Sequence, residues 1–332
     1  MKKMYLFLMA IALIFVMTAC SENEEAGESD ELTEIDVMLD WYPNAVHSFL
    51  YVAQEKGYFE DEGIKVNIQY PANATDPLTL AAAGKVTLGF YYQPDVVMAR
   101  ANENVPVKAV GSIVRSPLNH AVVLENSDIQ SPKDLEGKNV GYPGIPLNEA
   151  LIQTMVASDG GDPEKVDLVD VGFELGSSLV TEQVDAVIGA FVNHEVPVLK
   201  HEGHNTRYFN PVDYGVPEYH ELIAVTSDQT WEENEEEIKA FWRAATKGYE
   251  FMAENQDEAL KILLDNQEEE NFPLVEEVEA ESMEILLPKM ESENGFGSQD
   301  KDSWQETIDW LSEVGLIEEK PSVEDIVVDV GE

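Results

Sequence analysis

IDVMLDWYPNAVHSFLYVAQEKGYF, residues 35–59, is the stretch on which the fold turns. Ile35 to Leu39 alternates apolar and polar side chains, the pattern of a strand with one face in a core. The chain then enters Asp40-Trp41-Tyr42-Pro43-Asn44. After Pro43 the apolar spacing of Val46, Phe49, Leu50, Val52 and Ala53 predicts a helix that stops at Gly57. Strand, turn and helix in immediate succession are the opening of a βα unit.

Downstream the rhythm repeats. Strands are predicted at 65–70, 86–90 and 107–114, with short helices at 77–83 and 94–101. It then starts afresh, with strands at 121–124, 139–142, 166–171 and 186–188, helices at 131–135, 147–158, 176–182 and 193–202, and a last strand at 221–226. From Trp231 onward the chain reads as acidic helix, apolar at Ile238, Phe241, Trp242, Ala245 and Tyr249 and again at Trp304, Ile308 and Leu311. Alternating short strands and helices imply an α/β fold with mainly parallel sheets. Two such blocks imply two domains with a ligand cleft outside the strand ends. The first block has few helices of its own, so the tail is expected to cover it. Domain one is therefore expected at 33–118 plus 227–332 and domain two at 119–226, with a hinge where the chain crosses near 115–120 and 222–227.

Upstream, Lys2 and Lys3 precede an apolar run from Met4 to Met17, too short to span a bilayer and right for a signal peptide at 1–19. The lone cysteine of the chain, Cys20, ends it, and Met17-Thr18-Ala19-Cys20 resembles a bacterial lipobox. That resemblance implies a diacylated Cys20 as anchor on the outer face of the cell membrane, with residues 20–34 as an acidic tether that has nothing to bury.

The chain has 332 residues, with 66 Asp plus Glu against 20 Lys plus Arg, for a formal charge of −46. A surface that acidic repels nucleic-acid phosphates, so no nucleic-acid partner is expected. The excess itself reads as adaptation to a salty or alkaline medium. One cysteine excludes an intrachain disulfide, a CxxC redox centre and a Cys-rich zinc site. No P-loop, HExxH or Ser-His-Asp spacing appears.

Three segments carry a family resemblance: Leu39 to Asn44 with His47, Tyr51 to Phe59, and Gly84 to Gly89, supported by Ser131 to Lys138. Together they resemble the substrate-binding proteins of ABC importers related to the yeast thiamin-pyrimidine synthases, over about Ile35 to Leu316. Within that group, Asp40-Trp41-Tyr42-Pro43-Asn44 followed by His47 is similar to lipoproteins that bind a thiamin-precursor pyrimidine. The resemblance implies a two-domain periplasmic-binding-protein-like fold of type II. The implied ligand is an aminopyrimidine, N-formyl-4-amino-5-aminomethyl-2-methylpyrimidine, salvaged for thiamin. The implied partner is a membrane permease with separate ATPase subunits, and no cofactor or metal is expected. A monomer is expected.

Such a ring needs aromatic faces and a few edge donors and acceptors. Trp41, Tyr91 and Tyr92 stand at predicted strand ends and can stack, although core packing would use the same residues. Asp40 and Glu195 can accept from an exocyclic amine or share a proton with a ring nitrogen. Asn44 can cap a helix or bond the ligand. His47, one turn on, can donate from the same face. Asn119 lies beside the hinge, and Asn193 precedes Glu195. Tyr142, Pro143 and Gly144 form a strand-to-helix turn whose free N–H groups can hold a formyl oxygen. Alternatives from the same fold are nitrate, alkanesulfonate or taurine binding. An enzyme reading fails on chemistry: the synthases use G-x-K-x-x-x-H, whereas here Tyr91 and Asp95 replace the lysine and the histidine. A structural lipoprotein or adhesin is a third class.

Overall fold

The computed structural model describes residues 32–267 and 270–330. The expected signal peptide, Cys20 and the tether as far as residue 31 lie outside these residues. The tether ends earlier than expected, because Thr33 and Glu34 already belong to the first strand.

Ten strands form two five-stranded sheets. In chain order they are β1 (Thr33–Met38), β2 (Ile64–Gln69), β3 (Leu88–Tyr91), β4 (Val107–Val114), β5 (Asn119–Leu124), β6 (Asn139–Tyr142), β7 (Asp167–Asp170), β8 (Ala186–Phe191), β9 (Thr206–Phe209) and β10 (Leu222–Ser227). The first sheet has the order β2-β1-β3-β10-β4 and the second β7-β6-β8-β5-β9. β1 is parallel to both neighbours, with Val37 opposite Ile68 on one side and Leu88 on the other. Ile35, Val37 and Leu39 are buried, as the alternation requires.

The sheets are mixed rather than uniformly parallel. β10 runs antiparallel to β3 and β4, and β5 antiparallel to β8 and β9. In each sheet four strands share a direction and one opposes them. The reversed strand is the first to enter after the chain crosses between sheets, and no α-helix lies between it and the strand before. This corrects the boundary expected after residue 226: strand pairing assigns β10 to the first sheet. We propose lobes of 33–118 with 222–330, and 119–221. β9, absent from the sequence reading, completes the second sheet.

The helical tail covers the first lobe. The helix Asp228–Glu254 buries Ile238, Phe241, Trp242 and Ala245 against the helix Ser48–Glu55 and the first sheet. Gly111 of β4 permits that approach, since a Cβ there would lie 2.1 Å from Trp242 Cζ2. Burying a side chain such as Phe241 contributes on the order of 2 kcal/mol. The helix Lys301–Glu313 packs Trp304, Ile308 and Leu311 toward the helix Gln93–Glu103. Bridges from Gly297 to Ser112 and from Val327 to Ala109 seal the β4 edge. The helix Glu276–Met290 reaches further and touches the second lobe's helix Glu195–His201.

Candidate ligand-binding site

Where β1 ends, the backbone turns through Asp40 to Asn44 into a short 3₁₀ turn, Ala45–His47, and then the helix Ser48–Glu55. Asn44 is the N-cap: its Oδ1 accepts the Val46 N–H at 3.1 Å, and His47 Nδ1 accepts the Asn44 N–H at 3.3 Å. The Ala45 N–H is taken by Glu279 Oε2 at 2.7 Å, from a residue far along the chain in the tail. With Nδ1 accepting, His47 carries its proton on Nε2 and donates it to Asp40 Oδ1 at 2.9 Å. A helix start of ordinary capping chemistry thus aims one carboxylate out of the first lobe.

That carboxylate opens onto a slot between the lobes with about 470 Å³ of atom-free space, counted out to its mouth. Asp40, Trp41, Asn44, Val46 and Tyr92 form the first-lobe wall. Asn119, Pro143, Ile145, Leu147, Asn148, Gly189, Phe191, His194 and Glu195 form the second. Neither wall carries Lys or Arg among the described residues; Arg115 is spent on the Ser298 carbonyl at 2.6 Å.

Of the residues singled out from sequence, Asp40, Trp41, Asn44, Tyr92, Asn119, Pro143 and Glu195 meet at this slot. The others do not line it. His47 lies beneath Asp40, fully buried, and acts on the slot only through that carboxylate. Tyr91 is the last residue of β3 and is core; its ring lies 4.9 Å from that of Tyr92, which stands past the strand at the N-cap of the helix Gln93–Glu103 and lines the slot. Tyr142 donates its hydroxyl to Glu149 Oε1 at 3.1 Å. Gly144 makes the turn at φ +75°, backed by Asp170. Asn193 turns to the tail and donates to Ser282 Oγ at 3.0 Å. Just past the turn at Gly144, the N–H of Leu147 is held by Asp95 Oδ1 at 3.0 Å.

The sequence reading missed Val46, Ile145, Leu147, Asn148, Gly189, Phe191 and His194. Gly189 had a signal, a glycine inside the strand AVIGAF. Its φ is +98°, and a Cβ would stand 2.7 Å from Pro143 Cδ, so only glycine lets the two segments meet. Its N–H donates to Asn119 Oδ1 at 2.7 Å, while Asn119 Nδ2 donates to Asn148 Oδ1 at 2.6 Å. The remaining residues had no local signal.

Two carboxyls therefore face the slot from opposite lobes in different surroundings. Asp40 is held by the imidazole and by a long 3.4 Å bond from the Tyr92 hydroxyl. Glu195 accepts the Phe191 N–H at 2.6 Å, and burial raises its pKa, with the Asp40 charge adding to the rise. Trp41, on the slot wall, belongs to an aromatic cluster: it meets Phe173 edge-on with centroids 4.2 Å apart, and its neighbour Tyr42 stacks on Phe272 at 3.9 Å. A flat, neutral or cationic heterocycle with an amine edge suits this lining, whereas a bare anion would face two carboxyls and no cation.

Comparison with known proteins follows the same line. The sequence pattern described as NMT1/THI5 like matches residues 44–259. The chain belongs to that family. It is 54% identical over 326 residues to a formylaminopyrimidine-binding protein of Halalkalibacterium halodurans, covering 98% of each chain. It is 27% identical over 259 residues to a 4-amino-5-hydroxymethyl-2-methylpyrimidine phosphate synthase of Legionella pneumophila, covering 74% of this chain and 78% of that one. Among solved structures, the alkanesulfonate-binding protein of Xanthomonas axonopodis pv. citri superposes with a TM-score of 0.72 at 15% identity, over 90% of this chain and 99% of that one. The fold is that of the periplasmic binding proteins.

Proposed function

We propose that this NMT1/THI5-like chain is the substrate-binding lipoprotein of an ABC importer and that it captures N-formyl-4-amino-5-aminomethyl-2-methylpyrimidine or a close aminopyrimidine. The observation that carries the reading is the slot itself: one carboxyl from each lobe, the rings of Trp41, Tyr92 and Phe191, and no Lys or Arg in its lining among the described residues. In this reading Asp40 accepts from the exocyclic amine, and Glu195, with its raised pKa, shares a proton with a ring nitrogen. Trp41 covers one face of the ring. The 54% identity to a formylaminopyrimidine-binding protein supports the same ligand class.

Ligand bridging the two walls favours the closed form, which a membrane permease with separate ATPase subunits then receives. Cys20 supplies the lipid anchor, and the chain works as a monomer without chemistry of its own. Tyr91 and Asp95 stand where the synthases carry lysine and histidine, which supports binding over synthesis.

A ligand specific to the native state raises the melting temperature by mass action. The formylated or free aminopyrimidine should do so at micromolar concentration, while taurine, nitrate and sulfate should act only as salts. A shift with an alkanesulfonate and none with either pyrimidine would overturn the ligand and leave the fold untouched. Replacing Cys20 with Ser should release the protein from the membrane or leave it uncleaved. A Ser variant anchored as before refutes the lipoprotein.

A further inference from the structure

The helix Pro146–Ser158 of the second lobe begins without a cap of its own. Its N-cap residue, Ile145, has no side-chain acceptor, and Pro146 has no N–H, so Leu147 carries the first donor that must be satisfied. The acceptor comes from the other lobe: Asp95, in the first turn of the helix Gln93–Glu103, offers Oδ1 at 3.0 Å. Asp95 is buried, and its Oδ2 has no partner. Leu147, with Ile145 and Asn148 beside it, lines the slot. The bond joins the lobes at the wall that must come up against a ligand.

We propose that Asp95 is the clasp of the closed form: it caps the second lobe's helix across the cleft and so sets how fast bound ligand leaves. It touches no ligand and is a positioning residue. The proposal rests on the reading of the slot as a small-molecule site.

The surroundings of Asp95 give the clasp a pH dependence. Tyr91 and Tyr92 from its own segment, Tyr219, and Glu221 from the second crossing are the titratable groups around it. Burial pushes the Asp95 carboxyl up to about 8, with Glu221 adding to the rise. When the lobes open, water returns and the pKa falls toward the ordinary carboxyl range. Closure therefore takes up a proton. The closed form gains from it at low pH and loses it as pH rises through about 8.

The test uses the full chain, the formylated aminopyrimidine, and the variants Asp95→Ala and Asp95→Asn. Asn keeps an acceptor for Leu147 but cannot titrate. Asp95→Ala should speed ligand release by about tenfold or more and change the association rate by less than about threefold. Wild-type affinity should fall by about tenfold between roughly pH 6.5 and 9.5, whereas Asp95→Asn should lose less than about threefold. Amide exchange at Leu147 reads the clasp without any ligand. It should be faster in the Ala variant by about tenfold and near wild type in the Asn variant. Unchanged release and an equally protected Leu147 amide in Asp95→Ala would overturn the clasp, and superimposable pH profiles of wild type and Asp95→Asn would overturn its proton linkage. If wild type binds no aminopyrimidine, the ligand assignment fails, and exchange at Leu147 still decides the clasp.

Discussion

The two lobes share one strand order, with a single reversed strand in the same place, yet they present different walls to the slot. In the first lobe the polar groups around Asp40 are tied down inside the lobe. Asn44 bonds Val46 and Tyr42, His47 bonds Asp40, and Glu279 holds Ala45. In the second lobe Asn119, Asn148 and Gly189 form a chain, but His194 Nδ1 is buried without a hydrogen-bond partner, 3.8 Å from Glu279 Oε1, and Glu195 is held through one backbone N–H. A buried polar atom left unsatisfied costs about 1–3 kcal/mol, so the second wall has more to gain from a ligand or from closure. One topology thus carries two kinds of wall: one whose polar groups are bonded within the lobe and one that keeps a buried polar atom unsatisfied.

The sharpest way to break that comparison is to remove the fixed carboxylate. Asp40→Ala is expected to weaken aminopyrimidine binding about 100-fold, or roughly 2.7 kcal/mol, because it deletes the acceptor and leaves the His47 N–H unpaired. Titration calorimetry on the folded variant measures this. A loss under threefold would mean that Asp40 serves the fold and not the ligand. Next comes Trp41→Ala, expected to cost about tenfold, near 1.4 kcal/mol, as stacking on the ring and contact with Phe173 disappear together. Unchanged affinity would return Trp41 to packing alone.

His47→Gln sharpens the comparison by testing the support rather than the contact. Gln can still donate toward Asp40 but cannot reproduce the Nδ1 bond to Asn44, so binding should weaken only about fivefold, less than for Asp40. A larger loss than Asp40→Ala itself would reverse the order of dependence. The smallest effect is expected from Glu195→Gln. Because burial raises the Glu195 pKa, its contribution as a proton-sharing group is present at low pH and lost as pH rises through that raised value. Gln mimics the protonated form, so at about pH 6 the variant should bind within about threefold of wild type and hold its affinity better as the medium turns alkaline. A pH profile parallel to wild type would show that the second wall is as fixed as the first.

Much of this was legible because it is local. The alternation of Ile35 to Leu39, the breakers Pro43 and Asn44, and the apolar spacing after them define strand, turn and helix from neighbours alone. They deliver Asp40, Trp41 and Asn44 to a strand end, where α/β sheets bind ligands. The same logic reached Tyr92, Pro143 and Glu195. It failed at Tyr91, where the strand's last residue is packed into the core and only the next one, Tyr92, reaches the slot, and at His47, whose partner is decided by a ring tautomer and a loop path.

What the sequence determined by itself was therefore the succession of elements, the two-lobed α/β class and the strand ends at which a site could form. Only the tertiary structure decided that β10 returns to the first sheet, that Glu279 steadies the Asp40 loop, that Gly189 lets Pro143 approach, and that Asp95 caps a helix in the opposite lobe. The physical reason is range. Backbone preferences and hydrophobic period act over a few neighbouring residues, whereas these contacts join segments far apart in the chain, and what selects them is the joint burial of surfaces that no single segment carries.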